Sequence, residues 1–135
     1  MTPSAGEASF RLRTVYGAPR PVLVLTATGV VDRTNDVDLF DQLDRAATIA
    51  ASSLHTDDHG WHTVAGAIVL DLRGVILFSS RTIRVLSRRR DVRGRPLRVV
   101  AADHSAVALQ IEVLHLDGCF ARYTDIADAV LADAA

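Results

Sequence analysis

Three groups of residues in this chain carry side chains able to do chemistry. The first is the serine pair Ser79-Ser80, followed by Arg81 and Arg84. The second is the stretch Ser52 to Gly66, SSLHTDDHGWHTVAG, which holds His55, Asp57, Asp58, His59 and His62. The third is Asp71, a lone carboxylate in the apolar run Ala67 to Leu72. A serine at a helix start can cap it by accepting from a free backbone N–H. It can also carry a phosphate, which the free N–H groups and the positive dipole end then hold. Arg81 and Arg84 follow closely enough to add charge-assisted hydrogen bonds. The N-cap is the plainer account and the phosphorylation switch the sharper one. The loop offers zinc-ligand types, but only His55 and His59 stand at i, i+4 spacing and no regular element fixes them, so no metal is assigned. Asp71 is read as ending a buried strand, where a cap or a loop-holding hydrogen bond is expected ahead of a direct functional role.

The enzyme classes with short signatures are absent. The chain has no G-x-S-x-G elbow, phosphate-binding G-x-x-x-x-G-K-[ST] loop, G-x-G-x-x-G fingerprint or H-E-x-x-H helix. All fifteen basic residues are arginine, so Schiff-base chemistry and a phosphate-loop lysine are excluded. His104 and His115 read as helix-end residues. The expectation is a protein that is not an enzyme and needs no cofactor. A net charge of −1 over 135 residues gives no field that favours nucleic acid or an anionic membrane. The arginine-rich run Arg88 to Arg95, RRRDVRGR, lacks interleaved aromatics and reads as a solvated helix end stopped at Gly94. No window approaches ~18 uninterrupted apolar residues, and MTPSAGEASF lacks the basic and apolar regions of a secretory signal. The single Cys119, read as a small core residue, excludes an internal disulfide and fits a reducing compartment. A cytoplasmic location is therefore expected.

The elements that must position these groups follow from periodicity. Residues 1–8 are small and polar and are expected to fray, leaving one domain over 9–135. Phe10, Leu12, Thr14 and Tyr16 alternate with Arg11 and Arg13, a half-buried strand at or near a sheet edge. Gly17 to Pro21 make a turn, and Val22 to Ala27 a strand apolar on both faces that ends at Gly29. Thr34 or Asn35 caps a helix over 34–51, with Val37, Phe40, Leu43, Ala47 and Ala50 on its buried face. Residues 52–66 are a polar, His-rich connection that Trp61 packs back onto the domain. Ala67 to Leu72 is a buried strand, a tight loop with Gly74 follows, and the next helix has Ser79 and Ser80 in its first turn. Leu97 to Ala102 is a strand. A helix runs from Ser105 to about His115, with Asp103, His104 and Ser105 as cap candidates. Asp117-Gly118 closes that helix, Cys119 to Tyr123 is the last strand, and Thr124 caps a final helix. The order ββαβαβαβα demands mainly parallel pairing with right-handed crossovers, so the fold class is α/β.

From about Phe10 to Leu131 the sequence resembles the STAS family, the domain of bacterial anti-anti-sigma factors and of sulfate-transporter tails. The family's G-x-x-D turn matches Gly29-Val30-Val31-Asp32, and its buried I-V-L-D-L strand matches Ile68 to Leu72. Its F-[LM]-D-S-[ST]-G-L loop matches Leu77-Phe78-Ser79-Ser80-Arg81-Thr82-Ile83. Its V-L-x-L-x-G-x-x-x-x-[FY] pattern is echoed by Val113, Leu114, Leu116, Gly118 and Tyr123. The resemblance implies a STAS-like single domain with a mixed, mainly parallel sheet and about four helices. It also implies an anti-sigma factor antagonist, controlling sigma factor availability by binding an anti-sigma factor that is also a serine-protein kinase. By position, Ser80 is the phosphorylated serine, with Ser79 as the fallback. Asp32, Ser79, Ser80, Arg81, Thr82 and Arg84 form the partner-binding face. Ser79 stands where the family has aspartate, and Thr82 where it has glycine. The alternative is a STAS module that is not phosphorylated and senses a small ligand or binds another regulatory partner. No direct nucleic-acid or membrane partner is implied, and a homodimer remains compatible.

Overall fold

Phe10, Leu12 and Thr14 turn one way along Ser9–Val15 (β1), while Ser9, Arg11 and Arg13 stay exposed. A strand with one wet face suits a sheet edge, and β1 holds that position, antiparallel to Val22–Val31 (β2). The computed structural model describes residues 8–15, 22–52, 54–56, 62–64, 67–89 and 97–133. The central sheet has the order β1-β2-β5-β6-β7. Its last three strands are Ala67–Phe78 (β5), Leu97–Val100 (β6) and Phe120–Tyr123 (β7), and β2, β5, β6 and β7 pair in parallel. The expected α/β class and its ββαβαβαβα order therefore stand, with one insertion. The polar connection after the first helix contains a two-stranded antiparallel hairpin, Leu54–Thr56 (β3) with His62–Val64 (β4).

Successive parallel strands are added in one direction across the sheet, so right-handed crossovers put their helices on one face. Asp36–Ser52 (α1), Ser80–Leu86 (α2) and Ala106–Val113 (α3) contribute Leu39, Leu43, Ile83, Leu86, Val107 and Ile111 to a single core. That core lies against Leu25, Leu70, Val99 and Phe120 of the sheet. Cys119 packs half-buried against it. The opposite face carries Val24, Val69 and Val100 and is covered by Ile126–Val130 (α4) through Ala129 and Val130. A short 3-10 turn, Leu131–Asp133, follows.

Several local expectations are corrected. β2 does not stop at Gly29. It runs on to Val31, with Gly29 at φ 87, a conformation in which glycine has no Cβ penalty. There is no tight loop at Gly74 either, because β5 continues without a break to Phe78 and Asp71 lies inside it rather than at its end. The register Thr26↔Asp71, Thr28↔Gly74, Gly29↔Val75 and Val30↔Leu77 gives β5 an extra residue in two places. Such bulges reset the inward phase: Leu72, Val75 and Phe78 all reach the core, three residues apart, while Ile76 and Leu77 are exposed. Along α1 the buried stripe is Leu39, Leu43 and Ala46, with Phe40 and Ala47 beside it and Val37 58% exposed. α3 ends at Val113 and turns at His115 (φ 56) before Gly118. Ser105 supplies its cap, and Asp125 rather than Thr124 caps α4. The expected fraying of the N-terminus, the expected turn at Gly17 to Pro21, the packing expected of Trp61 and the helix stop expected at Gly94 fall on residues outside those described.

The first bulge needs Gly74, where an added Cβ would stand 2.8 Å from the Thr28 methyl group. Gly74→Ala is expected to cost about 1–2 kcal/mol in urea unfolding. Thr28→Ser removes that methyl and keeps a hydroxyl for the 2.6 Å bond with Ser9, so the double variant should recover part of the loss.

Candidate functional site

The ends of β2 and β5 bring two sequence-distant turns together. The Ser79 backbone N–H donates to the Val31 carbonyl at 2.8 Å, which sets the start of α2 beside the turn that follows β2. In that turn the Asp32 carboxylate accepts from both the Thr34 hydroxyl (2.6 Å) and the Thr34 backbone N–H (2.9 Å). These two bonds, the hydroxyl's first, hold the Asp32 pKa below its ordinary value. Asn35 braces the turn from the other side, accepting from the Asp32 N–H and donating to the Val30 carbonyl. Asn35 thus occupies the expected cap position but spends its side chain on the preceding loop.

At the start of α2 the two serines have different roles. Ser79 is the N-cap: its Oγ accepts from the Thr82 N–H at 3.1 Å and donates to Thr82 Oγ1 at 2.6 Å. Thr82 Oγ1 donates in turn to Asp36 Oδ2 at 2.9 Å, so a chain of hydroxyls joins the first turns of α2 and α1. Thr82 is fully buried, which corrects its expected place on the outer surface; it supports that surface from beneath. Ser80, Arg81 and Arg84 are exposed, and Asp32 and Ser79 are half-buried. The structure therefore brings together Asp32, Ser79, Ser80 and Arg81 around the two turns, with Arg84 one turn along α2. Val37, next to Asp36, adds an exposed apolar side chain to this end of the molecule.

Sequence reasoning missed two supports. Asp36 reads as a first-turn acid suited to the helix dipole, and nothing local marks it as a partner of Thr82, 46 residues away. Gln110 of α3 donates its amide to the Phe78 carbonyl, just ahead of Ser79; it too bridges residues far apart in the chain. Asp71, the other carboxylate singled out, belongs elsewhere. It is buried on the α4 face, where it receives two bonds from the Arg73 guanidinium, at 2.9 and 3.0 Å, and one from the Arg73 N–H. This contact, aided by Asp125, pushes the Arg73 pKa above its ordinary value despite the opposing effect of burial. The bonds run to Arg73 of the same strand, so Asp71 holds neither a cap nor the expected loop. His104 (φ 62) and His115 (φ 56) sit in the turns that bound α3, as expected of helix-end residues. The side chains of His55, Asp57, Asp58, His59 and His62 lie outside the described residues. Among the described residues no group of three or more His, Cys, Asp and Glu could hold a metal ion, and no helix is long and apolar enough to cross a membrane.

Solved structures share this fold over nearly the full chain. A crystal structure of an anti-sigma factor antagonist from Mycobacterium paratuberculosis matches with a TM-score of 0.71 at 21% identity, covering 96% of each chain. The anti-sigma factor antagonist SpoIIAA in its unphosphorylated form matches at 0.58 and 16% identity, covering 93% of this chain and 96% of its own. The fold is SpoIIAA-like. An uncharacterized protein of the DUF3478 family from Shewanella loihica PV-4, itself described as having a SpoIIAA-like fold, matches at 0.56 and 12% identity over 96% and 97% of the two chains. No family model and no curated protein sequence matches. The SpoIIAA-like fold accounts for the STAS-like pattern of the sequence.

Two outcomes are expected at this site. Thr82→Val removes the hydroxyl from a buried polar chain and should cost about 1–2 kcal/mol in chemical unfolding. Combined with Asp36→Asn the losses should be less than additive, since both variants break one link. Asp32 has a folded pKa below its unfolded value, so its contribution is present above the unfolded pKa and is lost as pH falls through the folded one. The stability difference between the wild type and Asp32→Asn should therefore close in acid, and NMR titration of the Asp32 carboxyl should give a midpoint below 3.8.

Proposed function

We propose that this protein is an anti-sigma factor antagonist: it binds an anti-sigma factor through the surface formed by the Asp32 turn and the start of α2, and so controls sigma factor availability. The observation that carries the reading is the asymmetry of the serine pair. Ser79 has its hydroxyl committed in both directions to Thr82, whereas Ser80 is exposed and its hydroxyl makes no hydrogen bond to a described residue. A kinase can reach Ser80 without disturbing the cap. A phosphate there places close to two negative charges on a surface that already carries the Asp32 and Asp36 carboxylates, and a partner fitted to the neutral serine is repelled. Val37 supplies an apolar anchor beside the charged groups, the mixture expected of a protein-binding patch. The SpoIIAA-like fold, shared with two anti-sigma factor antagonists, supports the same reading. The protein acts by binding rather than catalysis, in the cytoplasm, with an anti-sigma factor of the serine-kinase type as partner.

The test is to mix the protein with candidate anti-sigma kinases and ATP, and to follow complex formation alongside intact mass. A complex with unmodified protein is expected, with one added phosphate on Ser80 and loss of the complex once it is added. Ser80→Ala should bind and stay bound, and Ser80→Glu should bind at least about tenfold more weakly. Val37→Ala should weaken binding with no change in unfolding midpoint. A complex without phosphate would remove the switch and keep the binding role; neither complex nor phosphate with any kinase would remove both.

A further inference from the structure

We propose that the free edge of β1 takes up an extended segment of a partner protein in which acidic and apolar residues alternate. β1 is the edge strand of the central sheet, and no described segment pairs with its outer side. In an antiparallel pair every second residue turns its N–H and C=O away from the neighbouring strand. About half of the seven residues Ser9–Val15 therefore present hydrogen-bonding groups to an incoming strand. Sheet edges are commonly blunted by a proline, a bulge, charged side chains or a covering element. β1 contains no proline, and its register with β2 runs unbroken from Ser9↔Thr28 to Val15↔Val22. Charge is the guard that remains.

The two faces of β1 suit different side chains. Phe10 and Leu12 pack toward the α1 core. An open cleft of about 410 Å³ lies there, with Leu23 and Ile49 in its floor and Gln42 and Arg45 on its α1 side. A strand added beside β1 puts every second side chain on this face, where apolar ones cover Phe10 and Leu12 and enter the cleft. Arg11 and Arg13 take the other face, at the register of Thr26 and Val24, and are exposed. A second opening, of about 330 Å³, lies beside Arg11, Arg13 and Thr26. Neither guanidinium forms an ion pair with a described residue. Asp71, paired with Thr26 one strand further in, is already held by Arg73. The side chains that an added strand sets opposite the two arginines are therefore acidic.

The same charges disfavour a second copy of this chain. Antiparallel pairing along the whole of β1 sets Arg11 of one copy opposite Arg13 of the other, and like charges directly opposite are destabilising. An acidic strand meets no such barrier. The edge is also separate from the surface around Ser80. It lies on the side of β2 away from β5, and β1 pairs with β2 only as far as Thr28, whereas Ser79 bonds to Val31. Segment binding can therefore be read without an anti-sigma factor, and its failure would leave the role proposed for Ser80 standing.

The experiment is a nitrogen-15 NMR titration of the full chain with an end-blocked peptide as long as β1, seven residues, alternating valine and glutamate. Three control peptides replace glutamate by lysine, replace valine by serine, or carry a methyl on every backbone nitrogen. Saturable binding is expected, with shifts along β1 and at Gln42, Arg45 and Ile49, and with slowed hydrogen exchange at alternate β1 amides. Each control should bind at least about tenfold more weakly. Arg11→Gln combined with Arg13→Gln, two exposed positions, should weaken the glutamate peptide about tenfold. Arg11→Glu combined with Arg13→Glu should favour the lysine peptide instead. No saturable binding below about 2 mM peptide, or unchanged exchange at the β1 amides, would overturn the proposal. So would a control peptide that binds equally well, or arginine variants that bind as the wild type does. Self-association that protects the β1 amides without peptide would do the same.

Discussion

The parallel pairing of β2 with β5 is the constraint from which the rest of the molecule follows. Both strands are buried on two faces through Val22 to Leu25 and Ile68 to Asp71, and their ends decide where the Asp32 turn and the start of α2 fall. With regular pairing, a twelve-residue β5 would overshoot a ten-residue β2. The two bulges absorb the surplus, so that Phe78 ends opposite Val31 and Ser79 donates to the Val31 carbonyl. Gly29 and Gly74 make this fit feasible, one through its positive φ and the other through the absence of a Cβ against Thr28. Any change that relaxed the bulges would move the start of α2 away from the Asp32 turn.

Once the two turns are adjacent, a short polar chain locks them. Ser79, Thr82 and Asp36 form a continuous run of hydrogen bonds from the cap of α2 to the first turn of α1. Ser79 and Thr82 are also the two positions at which the STAS-like motif has aspartate and glycine. In this chain the two bond to each other. A serine at the cap can both accept from and donate to its neighbour, a threonine three residues on provides the hydroxyl that receives it, and the carboxylate at this end of α2 comes from Asp36 instead. The two positions are therefore joined in one run of hydrogen bonds. They leave Ser80 exposed above a rigid base.

How much of this could be read from the sequence depended on whether the signal was local. The alternation of β1, the apolar core of β5 and the Ser105 cap are each set by neighbours within a few residues, and they were legible. The continuation of β5 was not, because bulges turn the inward spacing from two residues to three: Leu72, Val75 and Phe78 look like the irregular apolar residues of a loop, and Gly74 like its turn. The stripe of α1 was displaced for a related reason. Val37 and Leu39 are both apolar, and only the packing of the helix against β2 and β5 decides that Leu39 goes in. The site itself was half legible. Motif order located Asp32 and Ser80, but the burial of Thr82 and its bond to Asp36 join residues 46 positions apart, and no local pattern encodes such a contact.

The two faces of the sheet are held by different physics. The face under α1, α2 and α3 is a broad apolar core, whereas the α4 face has mainly valines and a five-residue helix with little area to bury. Polar contacts supplement it. The buried Arg98 donates to the Ala129 carbonyl, satisfying an acceptor that a helix C-terminus leaves without an intrahelical partner. Arg73, bonded to the buried Asp71, is also drawn toward Asp125 at the α4 cap. Asp71 therefore acts through position in the sheet: a carboxylate there, with its charge met by Arg73, gives the sheet a polar hold near α4 that a valine could not. This explains why a buried strand carries an acid away from the Asp32 turn and the start of α2.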